Sequence, residues 1–207
     1  DGSIDLSNVT ETIKLLNDKN YSGVVAIKST VVPGTTKFFN ETTNLTVCFV
    51  PEFLRERCAV EDFVEHHKLL VIGTLDSRAY QVVKDSHGNL PKTVEQLTET
   101  EAEIIKYYNN IFNAVRVVFS NIMYEVCEKN NADYEKIKNT YLARGVASPD
   151  YMDCNSELRG YGGMCLPKDV NAFINYLKDI GISSEFLQAV HNDNGQFKTT
   201  IFKGMRS

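Results

Sequence analysis

Apolar positions along the 207 residues fall into two regimes. In the first, short apolar runs alternate with amphipathic stretches. Val9, Ile13, Leu15 and Leu16, with Ser7 as cap, predict a short helix over residues 8–19. GVVAIKST, residues 23–30, is a nearly unbroken β-branched run of the kind buried in a parallel sheet. Pro33-Gly34 marks a turn, and residues 36–40 open a second helix. Two more strands are expected over 45–50 and 68–74, with a helix near 76–86 after them. Strands alternating with helices predict an α/β arrangement, the second half of a doubly wound sheet.

The second regime begins after Thr98. From Glu99 to about Asn130 there is neither proline nor glycine, and Ile104, Ile105, Tyr108, Ile111, Phe112, Val115, Phe119, Ile122 and Val126 recur at helical spacing. Ala114, Val117 and Val118 fall off that stripe. A helix this long and apolar on more than one side is expected between two layers or two subunits. Shorter helices follow over 133–142, 167–178 and 184–205. Residues 1–98 therefore read as an α/β piece and 99–207 as an all-α piece, with no Gly/Ser linker, repeats or low-complexity run.

Composition narrows the function classes. Hydrophobic residues make up 43% and charged residues 24%, an ordinary globular balance. The net charge of −5, without a basic stripe, argues against a nucleic-acid partner. No run approaches the roughly 18 apolar residues of a membrane span, so no membrane partner is expected. The five cysteines form no CxxC pair, and four scattered histidines add little, so no metal site is expected. A reduced, cytoplasmic chain is the expectation, with at most one chemical thiol. The sequence opens on Asp1 in what reads as mid-protein text, so a piece of a longer chain is expected.

Candidate chemistry lies in four places. The densest is residues 159–169, RGYGGMCLPKD. Its glycines bring backbone close to something, and Pro167 suits a first helical turn. Cys165 then sits just ahead of a helix N-terminus, where the dipole and Lys168 favour a thiolate, with Asp169 one turn on. The plain alternative is a glycine loop with an inert cysteine. Next are Lys106 and Asn110, i and i+4 on the long helix, which could hold an oxyanion or else face solvent with Glu99 and Glu103. Third is Pro51-Glu52-Phe53-Leu54-Arg55-Glu56, directly after a strand, where α/β sheets keep ligand loops; a helix cap with a solvated pair is the alternative. Last are Ser29 and Thr30 at a strand end. No GxGxxG, the usual pyrophosphate cradle, occurs in the sequence.

Together these stretches resemble the UDP-glucose/GDP-mannose dehydrogenase family, the NAD-dependent nucleotide-sugar dehydrogenases. The resemblance runs in order through DGSIDLS, IKSTVVPGTT, PEFLRE with AVEDF, VIGT, AEIIKYYNN and RGYGGMCLPKD. It implies a partial Rossmann-like parallel sheet, residues 1–98, as the C-terminal part of an NAD-binding domain. Residues 99–207 would be the α-helical central dimerisation domain, with a homodimer formed through the 99–130 helix. The GxGxxG half and a C-terminal domain of the family have no counterpart in these residues. His66-His67-Lys68 stands where many members carry Pro-Asp-Arg.

By the resemblance, Cys165 is the nucleophile, with Lys106, Asn110 and Asp169 around the reacting carbon and Glu52 and Thr30 on the water and cofactor side. Phe53, Leu54, Arg55, Glu56, Tyr161 and Gly162 would contact the nucleotide sugar; Ser29, Thr30, Glu56 and Lys168 would contact NAD. The implied reaction is a two-step oxidation of a sugar C6 alcohol, as in UDP-glucose, to a carboxylate. The alternative is a dimerisation and sugar-binding core that is inactive without a dinucleotide-binding half. A related hydroxyacid dehydrogenase would not need the cysteine and ranks last.

Overall fold

The structure, a computed structural model, describes residues 4–55, 58–163 and 165–197. It divides into two compact units, Ile4–Tyr108 and the part from Asn109 on. The change from α/β to all-α text at 98/99 coincides with the start of the long helix, whereas the compact units divide inside that helix.

The first unit begins with α1 (Ser7–Asp18). Its N-cap is Leu6, and Ser7, expected as the cap, is instead the first helical residue, its N–H donating to Asp5 Oδ1 at 2.9 Å. Then come β1 (Val24–Ile27), α2 (Thr35–Thr42), β2 (Thr46–Phe49), α3 (Ala59–Val64), β3 (Leu69–Gly73), α4 (Ser77–His87) and β4 (Thr93–Leu97). Asp76 caps α4 by accepting from the Ala79 N–H at 2.7 Å, the usual service of a short polar side chain to orphan helix donors. Ile13, Ile27, Val31, Phe39, Val47 and Phe49 pack with Val71 and Ala102 on one side of the sheet. Cys48, Leu70, Ile72, Ala79 and Val83 pack together in a second cluster.

The sheet order is β1-β2-β3-β4. β1 runs parallel to β2 and β3 parallel to β4, but β2 meets β3 antiparallel, through the pair Phe49 and Gly73. The expected parallel sheet is present as two parallel pairs, joined antiparallel at one point. Gly73 makes the junction possible: a Cβ there would lie 2.4 Å from Ala102 Cβ and 3.1 Å from the Phe49 carbonyl oxygen. β1 is shorter than its apolar run, because its pairing ends where the Val50 N–H reaches the Ile27 carbonyl at 2.8 Å. That frees residues 28–32 to leave the sheet. β4 and α3 were not expected: TVEQL has no apolar run to mark it, and α3 is only six residues long.

α5 (Glu99–Lys129) realises the long helix over 31 residues. Its apolar positions divide between an exposed stripe and a buried face. Ile104, Tyr108, Phe112, Phe119, Ile122 and Val126 are exposed, whereas Ala114 and Val118, which fall off the apolar stripe, are core.

The second unit continues with α6 (Tyr134–Leu142), α7 (Leu166–Asp179) and α8 (Glu185–Gln196). Asp133 and Ser184 cap α6 and α8 by accepting from Lys136 and Leu187 N–H groups. The expected extension of the last helix to residue 205 lies outside the described residues beyond 197. Tyr134 packs with buried Cys127 and Cys154, and its hydroxyl donates to the Met152 carbonyl at 2.7 Å. No helix among the described residues is long and apolar enough to cross a membrane.

Candidate functional site

The first unit carries the strand-end group. Ser29 is exposed and Thr30 half-buried, both just past the carboxyl end of β1. Glu52 follows the neighbouring parallel strand β2. Its carboxylate pairs with Lys28 at 3.2 Å and accepts from the Phe53 N–H at 3.0 Å. Lys106 of α5 donates to the Glu52 carbonyl and stands 5.9 Å above the Phe53 ring. A carbonyl and an aromatic face both favour an ammonium and give it a direction. Glu52 and Phe53 therefore form one cluster with Lys106, which is distant from them in sequence.

Arg55 is engaged elsewhere. Its guanidinium grips Asp62 of α3 through two bonds, of 2.6 and 3.0 Å, and its N–H adds a third at 2.9 Å. These bonds hold the Asp62 carboxyl well below the usual carboxylate range. Leu54 is half-buried beside it; Glu56 lies outside the described residues. Asp62 was not legible as a partner, since nothing local in AVEDF points to Arg55, seven residues before it.

The strand-end segment is tied down by Glu103, a fully buried carboxylate on α5. It accepts from the Gly34 N–H, and from the Thr36 N–H and hydroxyl at 2.8 and 2.6 Å. α2 has no side-chain cap of its own, and Gly34 at its N-cap takes φ = 97°, so Glu103 supplies the missing acceptor from a distant helix. Burial pushes the Glu103 carboxyl up, against those hydrogen bonds.

The second unit carries the thiol group. Cys165 is exposed and is the N-cap of α7, with Pro167 in the first turn, as the sequence predicts. Its carbonyl accepts from the Asp169 N–H at 2.9 Å. Asp169 is fully buried and accepts from Asn110 Nδ2 at 2.5 Å; Asn110 in turn accepts from Asn109 at 2.9 Å. Thus Asn110 does not face solvent. Lys168 pairs with Asp169 at 2.7 Å, so its charge serves that carboxylate. Among the other thiols, Cys48 and Cys154 are buried, and burial pushes them up to about 12 and about 11.

The glycine loop before Cys165 has Gly160 and Gly163 in the left-handed region, at φ 59° and 82°. Tyr161 is buried, 2% exposed, so its ring is packing; burial pushes its hydroxyl up to about 12. Gly162 is half-buried. Two asparagines that the sequence reading missed, Asn121 and Asn194, hydrogen-bond to this loop. One signal could have found Asn121. It stands eleven residues after Asn110, about three helical turns on the same face of α5.

Residues 1–90 match the UDP-glucose/GDP-mannose dehydrogenase family, NAD binding domain, and residues 100–196 match the central domain of the same family. The chain is 30% identical over 209 residues to UDP-glucose 6-dehydrogenase YwqF of Bacillus subtilis, covering 92% of this chain and 44% of that protein. It is 34% identical over 207 residues to the UDP-glucose 6-dehydrogenase of Rickettsia bellii, covering 93% and 46%. A UDP-glucose dehydrogenase structure from Pyrobaculum islandicum superposes with a TM-score of 0.83 at 29% identity, covering 95% of this chain and 47% of that one. The chain spans a little under half the length of these relatives. Its residues, matched in order by two domains of one family, make it a member of the UDP-glucose/GDP-mannose dehydrogenase family.

Proposed function

We propose that the protein carrying this chain is an NAD-dependent nucleotide-sugar 6-dehydrogenase that oxidises the C6 alcohol of UDP-glucose, or a related nucleotide sugar, to a carboxylate. The observation that carries the reading is the exposed Cys165 at the head of a helix whose first turn is fastened, through buried Asp169, to Asn110. In the unit Ile4–Tyr108, half-buried Lys106 brings a positive charge beside Glu52 and Phe53.

NAD⁺ supplies the hydride acceptor. The residues here fit one end of it: β1 and β2 run parallel and end at Ser29, Thr30 and Glu52, the carboxyl edge where α/β sheets hold dinucleotides. They do not supply the glycine-rich cradle for its pyrophosphate.

In the proposed reaction the alcohol loses a hydride and a proton to give an aldehyde. The Cys165 thiolate adds to that carbonyl, forming a C–S bond and a thiohemiacetal. A second hydride leaves and the oxygen proton is lost, giving a thioester. Water, with Glu52 taking its proton, then breaks the C–S bond to release the carboxylate and regenerate the thiol. Lys106 and Asn110 stabilise the oxyanion at each stage, and Asp169 holds Asn110 in place. Phe53, Leu54 and Gly162 contribute sugar-side surface, while Arg55, held by Asp62, shapes the loop.

The exposed residues of α5 support a homodimer. Ile104, Tyr108, Phe112, Phe119, Ile122 and Val126 fall within about 80° of one another around the helix axis, a continuous apolar stripe suited to a second copy.

The test is NADH formation from NAD⁺ and UDP-glucose. Two NADH per sugar are expected, with Cys165→Ser lowering turnover to the acid by about a thousandfold or more. Acid release at an undiminished rate from the serine variant would reject the thioester route.

A further inference from the structure

We propose that Asn121 and Asn194 are positioning residues that hold the peptides of residues 159–161 and so fix how the glycine loop delivers Cys165; the catalytic part of this assignment rests on the dehydrogenase reading above. The loop needs outside help. With Gly160 and Gly163 in the left-handed region, its backbone follows neither helix nor strand, and Gly160 and Tyr161 are buried. Buried N–H and C=O groups without regular partners must be met by something else.

Two helices meet them with primary amides. Asn194 of α8 treats Tyr161 as a neighbouring strand would: its Oδ1 accepts from the Tyr161 N–H at 2.7 Å, and its Nδ2 donates to the Tyr161 carbonyl at 2.9 Å. Asn121 of α5, 1% exposed, accepts at Oδ1 from the Gly160 N–H at 3.1 Å and from Arg159 Nε at 2.8 Å. Its own Nδ2 donates to the Val117 carbonyl at 2.8 Å, which fixes the amide orientation. Arg159 is further held by Glu125 and lies 4.9 Å over the Tyr124 ring and 5.4 Å over the Phe197 ring. Consecutive peptides are thereby pinned from two elements immediately before the segment that leads to the thiol. A third anchor comes from the buried Tyr161 ring, whose hydroxyl has no hydrogen-bond partner among the described residues.

The roles of the two amides differ in a way that can be tested. Asn121 serves the loop only as an acceptor, so aspartate keeps the bonds to Gly160 and Arg159 and loses only the one to Val117. Asn194 uses both donor and acceptor, so leucine removes both. The experiment measures hydrogen exchange across residues 156–170, with circular-dichroism melting to confirm folding, for wild type, Asn121→Leu, Asn121→Asp and Asn194→Leu. Both leucine variants should speed exchange at Gly160 and Tyr161 by about tenfold or more, with α6 unchanged; Asn121→Asp should stay within about twofold of wild type. In turnover, the leucine variants should lose kcat by about tenfold or more while KM for UDP-glucose moves less than about twofold.

Unchanged exchange in folded Asn194→Leu would overturn the clamp. So would Asn121→Asp loosening the loop as much as the leucine variants. A looser loop with full kcat, or a rise in KM alone, would overturn the positioning role. Absence of NADH from the wild type would reject the dehydrogenase reading, and with it the catalytic part of the assignment, while the exchange measurements still decide the clamp.

Discussion

Replacing Glu103 by glutamine changes one atom of a fully buried side chain and tests how the strand-end segment is held. The carboxylate meets three donors, the Gly34 N–H, the Thr36 N–H and the Thr36 hydroxyl. The glutamine oxygen can still serve Thr36, but its NH₂ would then face the Gly34 N–H. One buried backbone donor and one buried amide donor are left unmet, each costing about 1–3 kcal/mol. Part of that is offset because no charge is buried any longer, and burial already pushes the Glu103 carboxyl above its ordinary range. The expected net loss is about 1–3 kcal/mol at neutral pH, read from urea unfolding followed by circular dichroism. The pH dependence has a definite sign. A folded-state pKa above the unfolded one gives stability that is complete below the unfolded value and lost as pH rises through the folded one. Glutamine carries no such proton, so the gap between wild type and variant should be widest near about pH 4 and narrow toward neutrality. A variant as stable as wild type at neutral pH would show that the three hydrogen bonds do not hold the segment. A gap that widens as pH rises would show that the folded state prefers the ionised carboxylate.

Other substitutions probe separate joints. Gly73→Ala places a methyl 2.4 Å from Ala102 Cβ, and thermal unfolding should show about 1–3 kcal/mol of destabilisation; an unchanged melting temperature would mean that β3 and α5 part easily. Asp62→Asn removes a carboxyl held below its ordinary range by Arg55. In wild type that stabilisation is present above the unfolded pKa and lost as pH falls through the folded one, so the variant should lose less stability on acidification below about pH 4. The pair is solvent-exposed on the arginine side, so added salt should shrink the difference; equal acid profiles would refute the link.

What the sequence disclosed, and what it withheld, follows from the range of each interaction. α5 was legible because thirty residues without glycine or proline declare themselves locally, and Cys165 at a helix start was legible from Pro167 and the glycines before it. The sheet was legible wherever a strand was apolar. β4 was not, since Thr93–Leu97 carries Glu95 and Gln96 and has no apolar run, although it pairs with β3 along its whole length. The face of α5 that packs within the chain was not legible, because its fully buried residues include the small Ala102 and Ala114, whereas Tyr108 and Phe112 of the apolar stripe are exposed. The polar joints were the least legible. Glu103 finds Thr36 across 67 positions and Asn121 finds Gly160 across 39, and no local pattern announces such partners. Arg55 shows the converse: a residue read for ligand contact is bound to Asp62, seven positions on.

The uninterrupted register of α5 bears on how this chain can tolerate change in length. Each helical residue turns its successor by about 100°, so one inserted or deleted residue between Asn110 and Asn121 would swing one of them to another side of the helix. Asn110 would then miss Asp169, or Asn121 would miss the loop peptide, while every apolar contact on that side shifted as well. Four added residues, close to one turn, would restore direction but displace the two amides by about 6 Å along the axis. Point substitutions along this helix are therefore a gentler kind of variation than any indel, and an exposed segment such as 143–150 is where length can drift without cost to the asparagine spacing.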